Sequence, residues 1–121
     1  MALVVRDPGR TASIFESLFQ AVIVPAGNVH RGPPEMRVQL PGLCLVLVQG
    51  EPPPQRSDAH LAFAVSEGSL ALFAGKLSAL GIESQLSRAG PAANALYFVD
   101  YDNHLFELNS GPRMATLGAE T

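Results

Sequence analysis

The chain has a single cysteine, Cys44, in 121 residues, so it can form no internal disulfide and no cysteine-built zinc cluster. Cys44 lies within an apolar run and reads as a buried, inert thiol. Basic residues are also few. Eight Lys and Arg against eleven Asp and Glu give a net charge of −3, which leaves no cationic footprint for nucleic acid. No apolar run approaches the roughly 20 residues needed to cross a bilayer. The start lacks the charged, apolar and small-residue succession of a signal peptide. There is no Gly-rich phosphate loop and no Gly-x-Ser-x-Gly nucleophile motif. A cytoplasmic protein of one domain fits these absences.

What is present is a strand-and-helix pattern that occurs twice. Ala2 to Val5 is a short apolar strand. Asp7-Pro8 then starts a helix, with Asp7 as N-cap and Pro8 in the first turn, where its missing N–H costs nothing. Ile14, Phe15, Leu18 and Phe19 continue it at helical spacing. Ala21 to Pro25 reads as a strand and Asn28 to Pro34 as a loop, with His30 exposed in it. Met36 to Leu40 and Leu43 to Gln49 are strands broken by Pro41-Gly42, and the second, apolar on both faces, is central. Pro52, Pro53 and Pro54 form a stiff connector.

The pattern then restarts. His60 to Val65 is a strand, and Ser69 to Leu80 a helix with Leu70, Phe73, Leu77 and Leu80 on one side. Gly81 ends the helix, and Ile82 to Leu86 is a strand. From Ala95 to Gly111 two short strands flank a tight turn built on Asp100, Asp102 and Asn103. Each half therefore reads strand, helix, strand, strand, strand, with a period of about 60 residues. Laying Leu61-Ala62-Phe63-Ala64-Val65 on Met1-Ala2-Leu3-Val4-Val5 sets the partner of His60 one place before Met1.

Two residues carry the candidate chemistry. In the last strand Glu107 points away from the apolar Phe106 and Leu108, because alternate side chains take opposite faces. It belongs either to a solvated sheet face or to a site. In the His60 strand, His60, Ala62 and Ala64 share the small face, while Leu61, Phe63 and Val65 form the large one. His60 is either structural or a ligand. Imidazole with carboxylate on one open sheet face suits a divalent metal such as Mn, Fe or Zn. His104 reads as a turn residue. The Asp100-Tyr-Asp-Asn turn is no calcium loop, since it lacks that loop's central glycine and terminal glutamate.

The tandem halves, His60-Leu-Ala-Phe, and Tyr97-Phe-Val-Asp-Tyr-Asp-Asn-His-Leu-Phe-Glu107-Leu resemble the vicinal oxygen chelate superfamily, which comprises glyoxalases, bleomycin-resistance proteins and extradiol dioxygenases. Gln49-Gly50-Glu51, Leu105-Phe106-Glu107-Leu108 and Ser110-Gly111 are most similar to the fosfomycin-resistance branch, especially its epoxide-hydrolysing members. The resemblance implies an α+β fold, with two tandem βαβββ modules forming a curved mixed sheet around a cleft and helices on the outer face. It implies one domain, with module one at about 1–50, module two at about 59–111 and a C-terminal arm at 112–121. Arg113 and the rest of that arm read as a loose extension or a dimer contact.

The same resemblance implies Mn(II) held by His60 and Glu107, with a first-strand histidine expected just before Met1. It implies a homodimer in which that first ligand comes from the partner subunit. Glu35 matches the glutamate that activates water in the hydrolases; its other reading is a solvated carboxylate at a strand start. Tyr97, Arg88 and Asn94 are the candidate substrate contacts. Where the branch carries arginine and serine to cradle a phosphonate, this chain has Asn94 and Ala95, and a multiply charged anion would be poorly held there. The resemblance thus implies a metal-dependent epoxide-opening enzyme whose substrate is not fosfomycin itself, with a metal-free drug-binding protein of the bleomycin-resistance type as the alternative.

Overall fold

A computed structural model describes residues 1–25, 34–40, 42–56, 60–66, 68–88 and 93–110, with the backbone alone at Pro25, His60, Arg88 and Ala93. The chain forms two compact units. The first is Met1–Gln55 with Tyr101–Asn103, and the second is Arg56–Asp100 with His104–Thr121. The expected loop around His30 and the C-terminal arm at 112–121 lie outside the described residues.

The first unit contains β1 (Ala2–Val5), α1 (Pro8–Phe19), β2 (Val22–Pro25), β3 (Glu35–Leu40) and β4 (Leu43–Gln49). Its sheet runs β1-β4-β3-β2, with β1 parallel to β4 and the other pairs antiparallel. The doubly apolar β4 is central, as its composition predicts. Gly42 closes the β3–β4 hairpin at φ 74°, in the left-handed region open to glycine.

Asp7 caps α1, its carboxylate accepting the Arg10 N–H at 3.2 Å, and Pro8 opens the first turn. Such a cap contributes about 1 kcal/mol. Ile14, Phe15 and Leu18 are buried to within 3%, and burying each is worth about 1.5–3 kcal/mol. The apolar face, more than the cap, therefore fixes the helix on β3 and β4. Val38, Leu40, Leu45 and Leu47 meet it from the sheet.

Alternation sends Cys44, Val46 and Val48 to the other face of β4, and this corrects the reading of Cys44. It is half-buried, not buried, because Leu45 and Leu47 take the core side.

The turn Tyr101–Asn103 belongs to this first unit. The Arg10 guanidinium stacks 3.7 Å over the Tyr101 ring, Arg6 lies 3.8 Å from the buried Asp102, and Asn103 Nδ2 donates to Pro53 O at 2.8 Å.

The second unit contains β5 (His60–Ala64), α2 (Leu70–Ala79), β6 (Ser84–Arg88), β7 (Ala93–Val99) and β8 (Leu105–Asn109). Its sheet runs β5-β8-β7-β6, and β5 is parallel to β8. The two units thus share one element order and one sheet order, the α+β tandem that the repeat in the sequence predicts.

Phe106 is fully buried, its ring stacked on Phe98 at 5.2 Å and on Phe63 at 6.3 Å between centroids. Leu96, Leu108, Leu70, Phe73 and Leu77 complete this core.

The strand expected at Ile82 to Leu86 begins two residues later, at Ser84. The helix end accounts for the shift. Gly81 at φ 77° donates to Ser78 O at 2.9 Å, and Ile82 donates to Leu77 O at 2.9 Å. This is a Schellman motif, whose residue after the glycine packs back on the helix. Ile82, 6% exposed, is held by that closure and is not free to pair in the sheet.

The turn between β7 and β8 is five residues, longer than the tight turn expected. Asp100 closes it, accepting the His104 N–H at 3.0 Å and lying 2.8 Å from His104 Nδ1. Asn103 takes φ 71°. His104 accordingly serves the turn.

Candidate functional site

The face of the second sheet turned away from α2 is built by strict alternation. Leu61, Phe63, Phe106, Leu108, Leu96 and Phe98 take the helix side, so Ala62, Ala64, Glu107, Asn109, Tyr97 and Ala95 take the other. Register then decides which of these meet. Ala62 pairs with Glu107, Glu107 with Tyr97, and Tyr97 with Gln85, one row across four strands. Ala64, Asn109, Ala95 and Ser87 form the next row.

Glu107 is at the centre of the first row and is half-buried. Asn109 Nδ2 donates to its Oε2 at 2.6 Å, and the Tyr97 phenol hydrogen-bonds to the same carboxylate. Ala62, on the opposite side of Glu107, is too small to cover it.

His60 stands opposite Leu105 on β5, two residues before Ala62, the partner of Glu107. Two adjacent strands thus carry the two candidate ligands. Among the described residues no group of three or more His, Cys, Asp and Glu side chains is arranged to hold a metal; the His60 side chain is not among those described. In donor chemistry the pair fits a divalent cation: one imidazole, and one carboxylate already oriented by two hydrogen bonds.

The Tyr97 phenol has its pKa raised above the ordinary value near 10, first by burial, then by the negative charge of Glu107 and the hydrogen bond to it. The neutral phenol is therefore favoured in the folded state. Its contribution to stability is fully present below the unfolded value and is lost as pH rises through the raised one. An ultraviolet titration of tyrosinate, with Tyr97→Phe identifying the step, should show Tyr97 ionising late. Glu107→Gln should bring it down part of the way, because burial remains. An unmoved step in Glu107→Gln would show that the two side chains do not interact in solution.

The other candidates divide between the units. Asn94 has no partner on β6: the ladder steps from Ser87 opposite Ala95 to Arg88 opposite Ala93. Asn94 is thus the extra residue of a β-bulge, a device that re-aims side chains. Arg88 ends β6, and residues 89–92 of the loop lie outside the described residues. Glu35 begins β3 in the first unit, half-buried and opposite Val48. Alternation puts it on the face away from α1 with Arg37 and Gln39, among Val4, Val22, Val24, Val46 and Val48. The structure thus joins Tyr97 to Glu107 directly and places His60 by register, while Glu35 belongs to the other unit.

Sequence reasoning did not single out Asn109 or Gln85. Asn109 was within reach, two residues after Glu107 on the same strand and so on the same face. Gln85 was not, because its place beside Tyr97 depends on β6–β7 register.

No family model matches the chain. Individual proteins do. The fosfomycin resistance protein FosX of Mesorhizobium japonicum is 30% identical over 115 residues, covering 92% of this chain and 83% of the relative. The crystal structure of FosX from Mesorhizobium loti superposes with a TM-score of 0.80 at 29% identity, over 98% of this chain and 94% of that one. A mutant FosX from Listeria monocytogenes, complexed with Mn(II) and 1S,2S-dihydroxypropylphosphonic acid, superposes with a TM-score of 0.78 at 26% identity, over 99% and 94%. With sequence identity at this level running nearly end to end, and the tandem four-stranded sheets in common, the chain belongs to the FosX fosfomycin-resistance family of the vicinal oxygen chelate superfamily.

Proposed function

We propose that the protein is a divalent-metal-dependent enzyme that opens a small epoxide with water, with His60 and Glu107 as ligands to Mn(II) and Glu35 as the base. The observation that carries this reading is the Glu107 carboxylate, in the middle of the sheet face turned away from α2 and held there by Asn109 and Tyr97. A carboxylate serving solubility alone has no need of two oriented donors. The diol bound in the Listeria relative is the kind of product that water addition to an epoxide leaves, and this supports hydrolysis over other openings.

When bound, the metal supplies Lewis-acid polarisation of the epoxide oxygen. Glu35 would take a proton from water as the water oxygen attacks a ring carbon and the carbon–oxygen bond breaks; the released oxygen would take a proton from solvent to give a vicinal diol, and Glu35 would return its proton to solvent. Tyr97 and Asn109 hold the Glu107 carboxylate. Apart from Glu107, the described side chains on its face are apolar or neutral, among them Ala62, Ala64, Ala95, Val99, Leu105, Gln85 and Ser87. This face favours a substrate with less charge than a phosphonate. Exposed Val4, Val22 and Val24 on the Glu35 face of the first sheet are apolar surface suited to a second copy, in keeping with a homodimer of composite sites.

The test is Mn(II) binding followed by electron paramagnetic resonance. Wild type should bind stoichiometrically, and both His60→Ala and Glu107→Ala should abolish binding. Epoxides carrying no charge, one charge or a phosphonate then rank the substrate class. A wild type that takes up no Mn(II) specifically would end the metal reading and leave a metal-free drug-binding protein of the bleomycin-resistance type.

A further inference from the structure

We infer that Asn109 is a positioning residue for Glu107, fixing its carboxylate before any metal arrives. This rests on the reading of Glu107 as a metal ligand. Residues two apart on a strand share a face, so Asn109 and Glu107 lie side by side along β8. The row that contains Asn109 explains why its amide turns toward Glu107. Its cross-strand neighbours are Ala64 and Ala95, which offer no side-chain hydrogen-bonding group. The nearest polar side chain in its own strand and face is the Glu107 carboxylate, and the amide meets it at 2.6 Å. An ionised carboxylate only accepts, so the contact needs an N–H donor, and the Asn109 amide has one while an aspartate would not.

Asn109 holds the carboxylate from along the strand, and Tyr97 from the neighbouring strand. Donors from two directions restrict the torsions of a long, flexible side chain. Outer partners of this kind set the orientation of a metal-ligating side chain, and their loss typically weakens metal binding about 10- to 100-fold. Asn109 carries no charge, so its replacement by Ala or Leu leaves the net charge at the site unchanged.

The experiment compares Mn(II) affinity and thermal melting for wild type, Glu107→Ala, Asn109→Ala and Asn109→Leu. Leucine keeps most of the volume and removes the donor. Both Asn109 variants should bind Mn(II) at least about 10-fold more weakly, with the manganese resonance signal of the bound ion broadened. Asn109→Leu should melt close to wild type. Asn109 variants that bind like wild type, while Glu107→Ala does not bind, would overturn the positioning role and leave the ligand assignment standing. Asn109→Leu that binds like wild type while only Asn109→Ala is weakened would also overturn it, because packing would then be the cause. Wild type without specific Mn(II) binding would overturn both readings together.

Discussion

Glu35→Gln is expected to lower kcat for epoxide hydrolysis about 10²- to 10⁴-fold, the range for removal of a general base. Glutamine keeps the size and hydrogen-bonding reach of the side chain but cannot accept the proton that water must lose. Glu35 is half-buried at the start of β3, across from Val48 and two residues from Arg37 on the same face. Glutamine matches its size at a half-buried strand start, so the variant should fold and melt close to wild type. Mn(II) affinity should also be unchanged, since Glu35 is proposed as the base and not as a ligand. The measurement is steady-state kinetics on the best epoxide from the substrate screen, with KM and Mn(II) binding determined in parallel. Retention of kcat within a few-fold would return Glu35 to its plain reading, a solvated carboxylate at a strand start.

Phe106→Ala should cost about 3–5 kcal/mol of stability, the usual range for an aromatic truncated in a core. The ring is fully buried and stacks on both Phe98 and Phe63, so the two strands that flank β8 lose contact with it at once. Against a total of about 5–15 kcal/mol for a typical domain, that loss removes a large share of the stability. Urea unfolding followed by circular dichroism measures it. Phe106→Leu should recover most of the loss, because a large apolar side chain refills the space. A cost under about 1 kcal/mol for Phe106→Ala would mean that the surrounding side chains collapse into the vacated space. The neighbouring Glu107 depends on this packing, since Phe106 fixes which face of β8 is inward.

Much of the fold could be read from local pattern. Asp7-Pro8 announces α1 because a carboxylate suits the N-cap and a residue without an N–H suits the first helical position, with Ile14, Phe15 and Leu18 following at helical spacing. The alternation of Phe106, Glu107 and Leu108 separates core from open face with no knowledge of the partner strands. The exceptions had a common origin. Ile82 is expected to open a strand, but the backbone of α2 captures it through the Schellman closure. An apolar segment predicts a buried Cys44, but α1 packs on the Leu45 and Leu47 face of β4, and Cys44 is on the other. In both cases the surroundings of the residue, and not its local propensity, decided the outcome.

For the site, the residue types and their faces belong to the sequence: histidine on the small-residue face of β5, glutamate on the face of β8 opposite Phe106 and Leu108, and a glutamate at the head of β3. The sequence also carries the tandem repeat, because each half must bury its own apolar stripe under its own helix. Which side chains meet across strands was decided only by the tertiary structure. That Tyr97 stands beside Glu107, that Gln85 follows in the same row, and that Asn94 is the extra residue of a bulge are matters of register. Register is set by pairing between strands distant in the chain, and a slip of one residue would reverse every face. The raised pKa of Tyr97 has the same origin, since burial and a neighbouring carboxylate both come from strands that the local sequence does not name.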